Sequence, residues 1–257
     1  MDIISEKILF TGSQGHLLVG RLDRPATNAK AFAVYAPCFT CTKDILVAKR
    51  IGEALAQRGI GMLRIDFTGL GESGGSFTQA NFTSNTQDLL AAARFLEAHF
   101  QAPELMIGHS LGGTTALVAA SKSPSVKGVV TINSPSNPKH VGKRFEEKLE
   151  ELSWTEEVDV KIEGRDFRIQ KQFVDDLQSY DMDTILPQLS AALLVFHAPD
   201  DPVVNVRNAS AIFSTAVHPK SFISLPNVDH LVTKKEDAVY IAQMIDAWSA
   251  LYITQQI

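Results

Sequence analysis

The sequence predicts an α/β fold in which a mostly parallel, eight-stranded sheet is covered by helices on both faces. Two observations lead to this fold class. After an antiparallel start, apolar runs that suit buried strands alternate with segments of helical periodicity, and this alternation is typical of parallel sheets. One of the strands also leads through a turn of small residues directly into a helix. Such sheets place their active sites at the carboxyl ends of the strands.

The strands can be placed by their apolar runs. The first two flank a Ser-Gln-Gly turn and are expected to pair in antiparallel fashion. The eight predicted strands are KILFTG (7–12), HLLVGRLDRP (16–25), AFAVYAP (31–37), GMLRIDF (61–67), ELMIGH (104–109), GVVTINSP (128–135), ALLVFHAP (192–199) and SFISLPN (221–227).

Helices are expected between these strands. Residues 44–58 repeat apolar side chains on one face and end at Gly59, where a helix C-terminal cap belongs. Residues 84–100 and about 236–252 repeat apolar side chains at helical spacing, and LGGTTALVAAS starts a further helix at Leu111.

One segment interrupts the alternation and divides the core into two parts, 1–135 and 191–257. Residues 136–190 are rich in charge and lack a buried parallel strand. Because this insertion leaves from the carboxyl end of a strand, we expect it to form a small cap over that edge; a decorative surface insertion is the alternative. Its predicted elements are an amphipathic helix over 139–154, a hairpin over 158–169 that turns at Gly164, and a helix over 170–177.

Composition excludes several classes of protein. The chain has 257 residues, 45% of them hydrophobic, which suits one large domain with a sizeable core. Its net charge of −5, without a basic patch, argues against nucleic acid and anionic membranes as partners. The N-terminal sequence does not resemble a signal peptide, and no apolar run reaches the roughly 18 residues that a membrane span needs. A cytoplasmic location is therefore expected.

The motif Gly108-His109-Ser110-Leu111-Gly112 is a G-x-S-x-G pattern between a strand and a helix. A nucleophile elbow needs this context, because small flanking residues let the strained turn close and project the serine above the sheet. The helix N-terminus behind Ser110 offers N–H groups to a developing oxyanion. Ser110 is therefore the candidate nucleophile, and a glycine-rich turn without chemistry is the alternative.

A serine nucleophile needs a base, and the base needs an orienting acid. In a fold with this elbow the chain order is Ser, then Asp or Glu, then His. Asp200 and Asp201 follow an apolar strand, and we expect Asp201 to be the acid, with Asp200 as the alternative. His230 is the histidine that follows the last strand, so it is the expected base. The predicted triad is Ser110, Asp201 and His230.

The loop 37–43, within YAPCFTCTKD, holds both cysteines of the chain, Cys38 and Cys41. In a fold with a nucleophile elbow, this loop supplies one N–H of the oxyanion hole, and the residue after the nucleophile supplies the other. Leu111 and Phe39 are the expected donors, with Cys38 as the alternative to Phe39. Backbone donors need no thiol chemistry, so we expect reduced, inert cysteines. A redox or regulatory pair is the alternative; zinc would need further ligands at suitable spacing.

Two further features bear on the site. The glycine-rich stretch DFTGLGESGG (66–75) directly follows a strand and is expected to support the site structurally. It lacks the helix and the distant acidic residue that a dinucleotide-binding motif requires. Four phenylalanines are candidates for lining an apolar acyl pocket: Phe39, Phe77, Phe145 and Phe173.

With these residues in place, the chain resembles the α/β-hydrolase superfamily from end to end. The segments CFTCTKD, LRIDFTGLGES, NFTSN, IGHSLGG and HPKSFISL…DHL resemble the hydrolase domain of bacterial bifunctional proteins, where it precedes an OsmC-like, peroxide-reducing domain. The chain differs from that family at Pro37, where histidine is usual, and stops at Ile257, so peroxide reduction is not implied. The resemblance implies an α/β-hydrolase fold and these roles: Ser110 nucleophile, His230 base, Asp201 acid, Leu111 and Phe39 oxyanion donors.

These features predict a cytoplasmic, bacterial serine hydrolase that cleaves a carboxylic ester or thioester of a small molecule without a cofactor or metal. Peptidase, perhydrolase or carbon–carbon hydrolase chemistry with the same triad is an alternative, because fold and triad do not fix the substrate. A non-catalytic binding protein on a hydrolase-like scaffold is a second alternative. A thiol-based redox sensor is a third.

Overall fold

The computed structural model describes residues 1–153, 155–162 and 165–253. Its strands are β1 (Ile3–Thr11), β2 (Leu17–Pro25), β3 (Ala31–Ala36), β4 (Ile60–Ile65), β5 (Leu105–His109), β6 (Gly128–Ile132), β7 (Glu157–Ile162), β8 (Arg165–Gln170), β9 (Ala192–His197) and β10 (Lys220–Ser224).

Its helices are α1 (Leu46–Ala56), α2 (Phe82–His99), α3 (Leu111–Ala120), α4 (Glu146–Leu149), α5 (Lys171–Gln178), α6 (Met182–Ile185), α7 (Arg207–Thr215) and α8 (Lys235–Ser249). Short 3₁₀ turns lie at Phe77–Gln79, Pro138–Phe145, Glu151–Ser153 and Leu186–Gln188. None of the helices described here combines the length and the apolar composition needed to cross a membrane.

Eight of the strands form one sheet in the order β1-β2-β4-β3-β5-β6-β9-β10. The pairs β1–β2 and β2–β4 are antiparallel, and the pairs from β4 to β10 are parallel. The predicted fold class, a mostly parallel eight-stranded sheet with an antiparallel start, is confirmed. Because β5, β9 and β10 run in the same direction, their carboxyl ends meet at one edge of the sheet.

The central strands are buried on both faces, as continuous apolar runs require. Along β3, Phe32 and Val34 pack into the core on the side of α2 and α3, whereas Ala33 and Tyr35 pack into the core on the side of α1 and α8. The alternation follows from the two-residue period of a strand. The sheet is therefore packed between two layers of helices, one on each face.

The segment 136–190 leaves after β6 and returns at β9, and only part of its predicted structure is right. The single helix predicted over 139–154 is wrong, because 3₁₀ turns and the short α4 take its place. Gly142 lies inside that stretch and disfavours a continuous helix. The hairpin is confirmed as β7–β8 and the following helix as α5. Trp154 and the hairpin turn at Gly164 lie outside the described residues.

Helices α6 and α7 were not predicted. Helix α7 carries few apolar side chains, and Ala209 and Ile212 are the ones it buries. Such a short stripe is too weak a periodic signal to find from the sequence. A local cue exists in Asn205, whose side chain accepts a hydrogen bond from the Arg207 N–H at the start of the helix (3.0 Å).

Candidate active site

Ser110 occupies a sharp turn between β5 and α3. Its φ of 54° and ψ of −129° lie in a region that non-glycine residues rarely adopt. The flanking glycines are required by space: a Cβ at Gly108 would lie 2.1 Å from the Gly112 carbonyl oxygen, and a Cβ at Gly112 would lie 2.2 Å from the Ala36 carbonyl oxygen. The G-x-S-x-G motif therefore lets β3, β5 and α3 meet at the serine.

The structure brings the three side chains of the predicted triad together. His230 Nε2 lies 3.2 Å from Ser110 Oγ, and His230 Nδ1 lies 2.7 Å from Asp201 Oδ2. An ionised carboxylate can only accept a hydrogen bond, so Nδ1 carries the proton and Nε2 is left to accept from the serine hydroxyl. All three residues are less than a tenth exposed.

Asp201, and not Asp200, faces the histidine. Its second oxygen, Oδ1, accepts hydrogen bonds from the N–H groups of Val203 (2.8 Å) and Val204 (3.0 Å). Burial acts to raise the pKa of Asp201, but these bonds and the one from His230 lower it overall below its ordinary value. Asp201 therefore stays ionised at neutral pH, whereas Asp200 is exposed to solvent.

A small cavity lies beside the serine. Its volume of about 20 Å³ has room for about one water molecule. Both residues predicted as oxyanion donors, Phe39 and Leu111, border it. The described residues that line it are Cys38, Phe39, Thr40, Ser110, Leu111, Pro135, His140, Val141, Ile162, Val204 and His230.

The predicted phenylalanine pocket is only partly right. Phe39 lines the cavity, but Phe77 and Phe173 pack against the Phe39 ring, at centroid distances of 5.6 and 5.1 Å. These two rings therefore support the loop from behind. The side chain of Phe145 lies outside the described part of the chain.

The prediction that the cysteines are free thiols is wrong in this structure. Cys38 and Cys41 form a disulfide, with their Cα atoms 5.1 Å apart. The spacing of three residues permits this, because the Cys41 N–H donates to the Cys38 carbonyl oxygen (3.0 Å) and closes a turn that brings both side chains together. Phe39 lies inside the turn, so the disulfide encloses a predicted oxyanion donor.

We still expect Cys41→Ser to change the activity of this site little. The backbone bond between Cys41 and Cys38 remains in the variant, and Arg165 Nη2 still donates to the Thr40 carbonyl oxygen (2.7 Å). Initial rates on a p-nitrophenyl ester measure the effect. A loss of several orders of magnitude would show that the disulfide itself is needed for catalysis.

The glycine-rich stretch 66–75 anchors the end of the same loop. Asp66 accepts from the Lys43 N–H (2.6 Å) through one oxygen and from Lys43 Nζ (2.8 Å) through the other. Gly71 has a φ of 55°, and a Cβ there would lie 2.2 Å from the Asp66 carboxylate. Gly71 thus leaves space for the buried ion pair between Asp66 and Lys43, which anchors the end of the loop 37–43.

Sequence reasoning missed two buried neighbours of His230. The Nε2–H of His109 donates to the His230 carbonyl oxygen (2.7 Å), and the side-chain amide of Asn133 donates to the same oxygen (3.0 Å). Burial, followed by the nearby His230, lowers the pKa of His109 to about 4, so its ring is neutral at neutral pH. The sequence signal for both residues is only their position at the carboxyl end of a strand.

Protonation of the buried His109 should lower the free energy of unfolding as the pH falls. Its pKa is lower in the folded chain than in the unfolded chain, so the unfolded chain binds more protons between about pH 6.5 and 4. A shift from 6.5 to about 4 corresponds to roughly 3 kcal/mol lost across that window. Burial lowers the pKa of His197 as well and adds to the trend. Urea unfolding at a series of pH values measures it.

The matched variant is His109→Gln, whose side-chain amide can donate to the His230 carbonyl but does not titrate. Its unfolding free energy should fall less than that of the native chain between pH 6.5 and 4. Equal pH dependence in the two proteins would contradict the assignment of this effect to His109.

Residues 43–184 of the chain match the sequence model of a protein family that is described as serine aminopeptidase, S33. The chain is similar to the esterase domain of a Rhodothermus marinus protein, with 37% identity over 99% of this chain and 100% of that one and a TM-score of 0.79. A search of curated proteins found no match.

More distant structures share the fold. Est1E from Butyrivibrio proteoclasticus, solved with ferulic acid, is 18% identical and covers 96% of this chain and 99% of its own, with a TM-score of 0.79. Mouse alpha/beta hydrolase domain-containing protein 10 is 19% identical, and the match covers 96% of this chain and 99% of that one, with a TM-score of 0.79.

The fold and the family match define the class: the protein is an α/β-hydrolase. Within that class, the chain belongs to the family described as serine aminopeptidase, S33, because the family model covers more than half of it.

Proposed function

We propose that this hydrolase cleaves a carboxylic ester or thioester through an acyl-enzyme on Ser110. The observation that carries the proposal is the hydrogen-bonded series from Ser110 Oγ to His230 (3.2 Å) and on to Asp201 (2.7 Å). A hydroxyl, an imidazole and a buried ionised carboxylate in this order form the arrangement that activates a serine.

In the acylation step, Ser110 Oγ bonds to the acyl carbon while its proton passes to His230 Nε2. Asp201 stabilises the imidazolium through Nδ1–H, and the N–H groups of Leu111 and Phe39 stabilise the negative oxygen of the tetrahedral intermediate. The intermediate expels the alcohol or thiol, which takes the proton from Nε2. Water then attacks the acyl-enzyme by the same route, releases the acid and restores Ser110.

The lining of the cavity favours an ester over an aminopeptidase substrate. An aminopeptidase must recognise a free, charged α-amino group, for which a carboxylate is the natural partner. Among the described residues that line the cavity, none is Asp or Glu, and most are apolar. Asp201 Oδ1 and Oδ2 are already occupied by the Val203 and Val204 amides and by His230.

We also propose that residues 136–190 cover the site as a cap. His140, Val141 and Ile162, which all belong to this segment, line the cavity, and Arg165 hydrogen-bonds to Thr40 in the loop opposite. The segment 136–190 therefore forms one wall of the cavity beside Ser110.

The proposal is tested with matched substrates. Methyl esters of alanine with a free or an acetylated amino group differ only in the charge that an aminopeptidase needs. We expect the acetylated ester to be cleaved at least as well, measured by titration of the acid released. A strong preference for the ester with the free amino group would instead favour aminopeptidase activity. No Ser110-dependent hydrolysis of these esters or of graded p-nitrophenyl esters would overturn the proposal.

A further inference from the structure

Asn133 follows β6 at the same edge of the sheet as Ser110, and its side chain is fully buried. Its φ of 48° lies in the left-handed region, which asparagine tolerates better than most residues. The residue takes no part in the proton transfers proposed above. A buried amide in a rare backbone conformation therefore needs another explanation.

The Asn133 side chain connects the two loops that carry the acid and the base. Its Nδ2 donates to the carbonyl oxygen of His230 (3.0 Å), and its Oδ1 accepts from the N–H of Ala198 (2.9 Å). The Ala198 carbonyl oxygen in turn accepts from the Asp201 N–H (3.2 Å). One amide thus bonds the loop after β9 and the loop after β10 at the same time.

We propose that Asn133 is a positioning residue that sets the distance between His230 and Asp201. The proposal rests on the proposed function, because it assigns Asn133 a role in the same triad. His109 holds the His230 carbonyl oxygen from a second direction (2.7 Å). The two donors fix the backbone of the base, and only Asn133 also reaches the loop of the acid.

The chemistry of the position suits asparagine. Its amide places an NH₂ donor group and a carbonyl acceptor on a single planar group, and each faces a backbone group of opposite polarity. Aspartate would keep the acceptor for Ala198 but turn a second oxygen towards the His230 carbonyl. Glycine would fit the left-handed φ without strain but would lose both bonds.

Asn133→Gly tests the proposal. We expect kcat to fall by about 10²-fold with KM little changed, because a misplacement of about 1 Å can cost that much. Rates are divided by the number of sites that react with a fluorophosphonate at the end point. A purely structural role would reduce the number of reactive sites and leave kcat per site unchanged, so this readout separates the two.

The matched control is Asn227→Gly. Asn227 also has a left-handed φ, of 60°, and lies in the loop that carries His230, but it is exposed. This variant should keep the native kcat per site. If Asn133→Gly fails to fold, Asn133→Asp takes its place, with the same expected fall in kcat per site.

Native kcat per labelled site in whichever Asn133 variant folds would overturn the positioning role. If the native protein shows no Ser110-dependent turnover, the proposed function itself fails. The two failures are therefore distinguishable.

Discussion

Replacing Ser110 by alanine should lower kcat/KM for an activated ester by on the order of 10⁴-fold or more. The variant loses the hydroxyl oxygen that lies 3.2 Å from His230 Nε2 and forms the acyl bond in the proposed mechanism. Residual turnover would come from substrate binding and the oxyanion donors alone. Steady-state kinetics on p-nitrophenyl acetate measures the loss.

The matched control for this variant is Ser134→Ala. Ser134 is another buried serine at the carboxyl edge of the sheet, and its Oγ donates to the Ile132 carbonyl oxygen (3.3 Å). Its replacement should leave most of the activity. If both alanine variants kept near-native turnover, Ser110 could not be the nucleophile.

Asp201→Asn should lower kcat by about 10⁴-fold, although the two side chains have nearly the same shape. The Val203 and Val204 N–H groups both donate to Oδ1, so the amide oxygen of asparagine must face them. The amide NH₂ then faces His230 Nδ1 and forces it to accept. The imidazole proton moves to Nε2, which can no longer take the proton of Ser110.

Asp201→Ala provides the comparison for this prediction. Alanine leaves the imidazole free to adopt either tautomer, so Asp201→Asn should be no more active than Asp201→Ala. Kinetics of the two variants on the same ester test the point. Near-native turnover of Asp201→Asn would contradict the proposed role of the carboxylate.

The sheet and the elbow could be predicted because their signals are local. A buried parallel strand is a short apolar run, and the elbow needs small residues immediately beside Ser110. The order of Ser110, Asp201 and His230 along the chain then follows from the order in which strands end at one edge. The sequence favours Asp201 over Asp200 as the acid, and in the structure Asp201 is the one that faces His230.

Other features depend on contacts that the local sequence does not encode. Asn133 bonds to Ala198 and His230, which lie 65 and 97 residues further along the chain. The same holds for Arg165, which reaches Thr40 across 125 residues. The structure of segment 139–154 was mispredicted for a different reason: its charged pattern suits a helix, but Gly142 weakens it.

The central claim is that Ser110 forms the covalent intermediate, and mass spectrometry of the fluorophosphonate-treated protein tests it most directly. We predict one phosphonyl group per chain on the peptide that contains Ser110, with loss of esterase activity in proportion to labelling. Full esterase activity after stoichiometric labelling of Ser110, or activity lost through a label on another residue, would contradict the claim.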